Sequence, residues 1–132
     1  MANALYPLTK AKMMQAQLDM SSATIKAALL DTGTVAYNAA HDFYNDVSAG
    51  VVGTPQTIGS KTFTSGTFDG ADITFTGVSG ASAEAIVIYE DTGNVATSKL
   101  IAFLDSGYTN LPVTPNSGDI AVTWDAAGIF TL

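Results

Sequence analysis

The stretch EAIVIYEDTGNVATSKLIAFLD, Glu84 to Asp105, constrains this chain more than any other. It reads as two antiparallel strands joined by a polar turn. A strand with one face in water alternates apolar and polar residues. These two do not: Ile86, Val87, Ile88 and Tyr89 run without a break, and so do Leu100, Ile101, Ala102, Phe103 and Leu104. Both faces of the hairpin must therefore be covered. One face can pack on a facing sheet. The other can be covered by an N-terminal helix, by a neighbouring subunit, or by both. The residues expected at such a subunit interface are Ile86, Ile88, Leu100, Ile101 and Leu104.

The sequence around the hairpin is β-like from Lys61 onward. KTFTSGTF, ADITFTGV, DIAVTWD and GIFTL are short runs rich in β-branched and aromatic residues. Turn signals punctuate them at Asp69-Gly70, Ser79-Gly80, Thr92-Gly93-Asn94, Ser106-Gly107 and Ser117-Gly118-Asp119. Short strands with turns at this spacing predict a mainly β fold, a β-sandwich or partly closed barrel of about six to eight antiparallel strands. The expected core comprises Ile25, Leu29, Phe75, Val87, Tyr89, Ile101, Phe103, Val122 and Trp124. Nothing in 132 residues marks a linker, so one domain over 1–132 is expected.

The first twenty residues differ in character. Residues 8–20 contain no glycine and, apart from Thr9, no β-branched residue, which predicts one α-helix packed on a β domain covering 23–132. Pro7 suits its first turn, and Met14, Leu18 and Ala11 share a face at helical spacing. Ile25, Ala27 and Leu29 then alternate as in a strand, ended by Asp31-Thr32-Gly33. Residues 37–47 (YNAAHDFYNDV) predict a short helix capped by Asn38, and residues 48–60 a loop around Val51-Val52.

Charge narrows the function classes. Twelve acids face five lysines, with no arginine, for a net charge of −7. A nucleic-acid binder needs a basic face, and these lysines are scattered, so no nucleic-acid partner is expected. No apolar run approaches the length of a membrane span, and no basic segment followed by an apolar one marks a secretion signal, so no membrane partner is expected. Without cysteine there is no thiolate or disulfide chemistry. Only 13% of residues are charged while 47% are apolar. Such a surface suits burial against copies or partners.

Candidate chemistry is thin. His41, in HDFYND with Asp42 and Asp46, is the only histidine. One histidine without cysteine does not build an ordinary zinc site. No Gly-x-Ser-x-Gly turn accompanies it. Asp69, Asp72, Asp91, Asp105, Asp119 and Asp125 sit in turns, where oxygen ligands could gather calcium but where aspartate more often braces its own turn. Trp124, Tyr89, Tyr108 and Phe130 could form a sugar platform, yet Trp124 lies on the Ile120/Val122 side of its strand, which marks it as core. No catalytic, cofactor-binding or metal residue is assigned, and no enzyme activity is expected.

Several segments, namely MANALY, ATIKAALLDT, KTFTSGTFDGADITFTGVSG, the hairpin and LPVTPNSGDIAVTWDAAGIFTL, together resemble a family of small virion proteins of tailed bacteriophages. That family pairs an N-terminal helix with a "G-x-F-D-A-D-D-V-T-F" stretch and a terminal "P-V-T-P-N-G-G-D-I-x-V-x-W-D". Here Ser117 stands where glycine is common, and Gly70-Ala71-Asp72 replaces a more acidic run. The resemblance is weakest between Asn38 and Ser60. It implies a virion structural protein made in the host cytoplasm and located on the capsid surface. The expected role is capsid decoration, or cement. Its partners would be itself, as a homo-oligomer and most simply a trimer, and the major capsid protein. A tail or head-fibre component and a small carbohydrate-binding module are the alternatives, with a small hydrolase third. The resemblance implies no cofactor.

Overall fold

The computed structural model describes residues 3–132; Met1 and Ala2, which open the MANALY motif and the expected domain, lie outside the described residues. Strand β1 (Ala4–Leu5) leads into helix α1 (Pro7–Met14). Nine further strands follow: β2 (Ile25–Leu30), β3 (Val51–Thr57), β4 (Thr62–Thr64), β5 (Thr67–Asp69), β6 (Ile73–Phe75), β7 (Ala85–Glu90), β8 (Leu100–Leu104), β9 (Ile120–Val122) and β10 (Phe130–Thr131). They form an antiparallel five-stranded sheet in the order β1-β8-β7-β2-β3, a three-stranded sheet β10-β5-β4 and a two-stranded sheet β6-β9. The fold is mainly β and sandwich-like, with one helix and no closed barrel, as the run pattern predicted.

The hairpin β7–β8 sits near the middle of the large sheet, flanked by β2 and β1. Its two faces feed two separate cores. Ile86, Ile88, Ile101, Ala102 and Leu104 join Ile25, Ala27, Leu29, Phe75, Val122 and Trp124 on the side of the smaller sheets. Ala85, Val87, Tyr89, Leu100 and Phe103 join Tyr6, Ala28, Leu30 and Val47 on the other side. The pairing Ile86↔Leu104, Val87↔Phe103 and Ile88↔Ala102 slips before Tyr89↔Leu100. Ile101 is thus an extra residue, a β-bulge. The bulge reverses the alternation, so Ile101 faces the first core beside Ala102 while Leu100 faces the second beside Tyr89.

The second face is covered by the chain itself. Residues between β2 and β3 cross over it: Val35, Tyr37, Tyr44 and Val47 pack on this core. The segment is tied down by backbone bonds, with Tyr44 N–H donating to Ser98 O at 2.7 Å, Asn45 N–H to Val95 O at 3.0 Å and Leu100 N–H to Asp42 O at 2.9 Å. The Tyr44 and Tyr89 rings stack with centroids 4.3 Å apart. This corrects the interface expectation. Ile86, Ile88, Leu100, Ile101 and Leu104 are each 2% exposed or less within the single chain, so their side chains offer nothing to a second subunit. The cover was missed because residues 37–47 form no amphipathic helix. They are irregular, with a 3₁₀ turn at Tyr44–Asp46, and Asn38 braces a local turn by accepting from Ala40 N–H.

The expected helix over 8–20 begins with Pro7 as anticipated but stops at Met14. Ala16 adopts φ 58°, and Ala16 N–H and Gln17 N–H donate back to Met13 O and Lys12 O. That is a Schellman ending, which usually has glycine at the left-handed position. With alanine there, no stop signal was legible. Leu18 is buried beyond the helix, whereas Met14, placed inward by helical spacing, projects into solvent.

Two more departures have local causes. KTFTSGTF is a hairpin, not one strand, because Ser65 and Gly66 take φ 53° and 80° between β4 and β5. Both central residues at positive φ make the tight turn that matches strand twist. The expected loop at 48–60 contains the seven-residue β3. Its Pro55 is tolerated because β3 is an edge strand. Every residue of the expected core is buried.

Three outcomes follow from this architecture. Phe103→Ala should cost about 3–5 kcal/mol through cavity formation, read by chemical denaturation. Ile88→Asp should abolish the cooperative unfolding transition outright, because it places an unpaired carboxylate between sheets; a folded Ile88→Asp protein would show that this face is open. Ala16→Gly should stabilise by about 1 kcal/mol, since glycine carries no penalty in the left-handed region.

Candidate functional site

The residues singled out for chemistry are not brought together. His41 is half-buried, and its ring Nδ1 has no hydrogen-bond partner among the described residues. No serine hydroxyl is hydrogen-bonded to it there. Its charged neighbour is Asp46, whose carboxylate accepts from the Asp42 N–H at 2.9 Å and the Phe43 N–H at 3.4 Å. Burial works against ionising Asp46, but those amides and the nearby His41 hold its carboxyl below the usual range.

The aspartates act on the backbone. Asp31 Oδ1 accepts from Gly33 N–H at 2.9 Å, Asp69 Oδ1 from Gly70 N–H at 2.8 Å and Asp125 Oδ1 from Ala127 N–H at 2.8 Å. Asp72 and Asp119 reach further, to Trp124 N–H at 2.9 Å and Gly77 N–H at 3.0 Å, and stitch β9 to the segments around β6. Asp91 Oδ1 accepts from Gly93 N–H, and its other oxygen lies 2.9 Å from Lys26 Nζ. Among the described residues no three His or acidic side chains converge as a metal site would require.

The aromatics are similarly occupied. Trp124 is buried, with Nε1–H donating to Ala71 O at 2.9 Å and its ring meeting Tyr108 edge-on. Tyr108 is half-buried, and burial with the Asp125 charge nearby pushes its hydroxyl up to about 12. Tyr89 is buried, and Phe130 packs on Phe68 at 5.3 Å. With Trp124 and Tyr89 buried, these four rings do not form one exposed platform.

Four of the five lysines are committed as well, and Lys10 is exposed. Lys12, Lys26 and Lys99 pair with Asp42, Asp91 and Glu90 at 3.3, 2.9 and 3.0 Å. Lys61 Nζ donates to the carbonyls of Met20, Ser21 and Ala23, bracing the loop between α1 and β2.

What the surface does offer is an apolar groove that the sequence did not reveal. Leu5 of β1, Lys10, Met13 and Met14 of α1, and Thr131 and Leu132 at the end of the chain line a depression of about 470 Å³. Met14 is 85% exposed and Leu132 66%. The walls are held in place. Tyr6 N–H donates to Ile101 O at 2.9 Å, fixing the start of α1, and Lys12 anchors its far side to Asp42. Leu132 N–H donates to Gly66 O at 3.0 Å. The Thr67 and Thr131 hydroxyls share a 2.8 Å bond. Two large apolar side chains are thereby presented to water on a fixed backbone. The groove joins residues more than a hundred positions apart, and only the fold brings them together.

No known family model matches the chain, and no curated protein does.

A pH dependence follows from the turns. The hydrogen bond from Lys26 and the Gly93 amide hold the Asp91 carboxyl below its ordinary value of 3.8. Its folded form is therefore the stronger acid. The stability it contributes is complete above about pH 4 and is lost as pH falls through the lowered value. Melting temperatures recorded from pH 5 to pH 2 should fall, and Asp91→Asn should flatten part of that fall. An unchanged slope in the variant would remove Asp91 from the acid response.

Proposed function

We propose that this chain is a bacteriophage virion structural protein that decorates the outer capsid surface and stabilises the head. The phage assignment rests on the resemblance of the β segments to small virion proteins. The decoration role rests on one observation, the fixed apolar groove formed by Leu5, Met13, Met14 and Leu132. A partly apolar patch with a rigid backbone suits docking on another protein, because little entropy is lost on binding. The proposed partner is the major capsid protein. The charge of −7 and the committed lysines argue against nucleic acid.

The expected homotrimer must use other surfaces than the hairpin faces, which are closed. The exposed area of 6282 Å² is close to the roughly 6,600 Å² of a free-standing monomer of this mass, so no interface-sized excess of surface is present. A single groove is smaller than the 1,200–2,000 Å² or so that stable interfaces remove. Strong attachment by this route therefore calls for several copies acting together, as a trimer would provide.

Met14→Glu with Leu132→Lys should leave the melting temperature within about 2 °C of the parent, since both side chains are exposed. It should reduce co-sedimentation with undecorated capsids at least tenfold and cancel the gain in capsid heat resistance. A parent protein that neither binds nor strengthens capsids ends the decoration reading and leaves the tail or head-fibre role. Binding unaffected by the double variant would move the contact elsewhere.

A further inference from the structure

A second depression, of about 430 Å³, lies at the open end of the β7–β8 hairpin. Four separate segments line it. Thr32, Ala36 and Tyr37 come from the crossing segment, Glu84 precedes β7, Phe103 and Asp105 end β8, and Pro112 follows. Its walls are of two kinds. Tyr37 is half-buried, and its ring is wedged 5.4 Å from both the Tyr6 and the Phe103 rings, so it has a fixed position. Pro112 adds an apolar edge. Against these stand two carboxylates, Glu84 and Asp105, and among the described residues no lysine lines the cleft.

We infer that this cleft receives a basic side chain, an arginine or lysine, of a protein partner. The occupant is specified by the charge and by the shape. A cation with an apolar stem matches a cleft that sets the Glu84 carboxylate beside a ring and a proline: the stem packs on the apolar edge and the head group meets Glu84. An aromatic face close to the cation adds to this. Glu84 is already oriented, because its Oε1 accepts from the Thr32 N–H and the Thr32 hydroxyl, both at 3.0 Å. A carboxylate has about four acceptor positions, so those two donors leave room for a third and fourth. The net charge of −7 steers a basic partner toward the molecule, and the cleft gives it a defined seat. Under the virion reading that partner is the capsid, but the chemistry of the cleft stands apart from it.

The test uses the whole chain and small probes. N-acetyl-arginine amide and N-acetyl-lysine amide are titrated into ¹⁵N-labelled protein, with N-acetyl-leucine amide as the uncharged control. Saturable shifts are expected at Thr32, Tyr37, Glu84 and Phe103, weakening as salt is raised. Glu84→Gln should weaken arginine binding at least fivefold. Its amide oxygen can still accept from Thr32, so the fold is retained. Asp19→Asn, a surface acid outside the cleft, should change nothing. Shifts spread evenly over exposed acids, equal shifts with the leucine probe, or an unaltered Glu84→Gln titration would each overturn the inference. Capsid co-sedimentation runs alongside. Probe binding at the cleft without capsid binding by the parent protein would leave the cleft standing and remove the virion reading. Capsid binding without probe binding would do the reverse.

Discussion

The whole arrangement depends on one backbone irregularity, the extra residue at Ile101. Without it, strict alternation along β8 would exchange the faces of Leu100 and Ile101, and Tyr89 would sit opposite Ile101 instead of Leu100. With it, every residue of Leu100–Leu104 reaches an apolar environment. The bulge also leaves its carbonyl available outward, and Tyr6 N–H takes it at 2.9 Å. That bond sets where β1 ends and α1 begins. The helix, the groove beside it and the second core, in which Tyr6 is fully buried, all take their position from this point. A slip of one residue in a sheet normally exchanges the two faces of a strand. Here a local slip re-aims only Leu100 and Ile101, and both faces of β8 stay apolar.

A sheet closed on both faces uses most of the apolar residues internally, which changes what the composition means. The high apolar share and low charge suggested surface reserved for partners. Much of that apolar content instead fills two cores, in a chain whose exposed area is ordinary for its mass. The acidity likewise has an internal explanation. Turn after turn is braced by a carboxylate accepting from a backbone N–H two residues on, as at Asp31, Asp91 and Asp125. An amide nitrogen needs an acceptor, and a turn has too few carbonyls in reach, so aspartate supplies one. Lysine has no such use, and four of the five instead tie one segment to another.

How much of this was legible varies with the range of the interaction. Nearest-neighbour pattern sufficed for the strands of the hairpin, for β2 and β9, and for the core residues, because burial imposes a period that the sequence must obey. Pro7 marked the helix start for the same local reason. The helix stop was not legible, because Ala16 carries none of the usual marks of a residue at positive φ. The cover over the second face was not legible either. Residues 31–50 are irregular, and their role comes from Tyr37, Tyr44 and Val47 meeting side chains of β7 and β8 far along the chain. The assignment of Ile86, Ile88, Leu100, Ile101 and Leu104 to an interface failed on this point alone. The requirement for a cover was read correctly, and its source was misplaced.

The same division explains where function can reside. With the hairpin faces closed, the carboxylates in turns and Trp124 in the core, few groups remain whose arrangement the fold does not itself require. Two depressions stand out among the described residues. Beside edge strand β1 is the groove of Met14 and Leu132, apolar and held by backbone bonds. At the open end of the β7–β8 hairpin is the cleft of Tyr37 and Glu84, part aromatic and part acidic. Both present side chains to the outside. An apolar patch supplies affinity without much direction, whereas an acidic cleft with a ring supplies direction with little area. On the reading proposed above, the groove supplies contact area and the cleft sets the orientation on the partner.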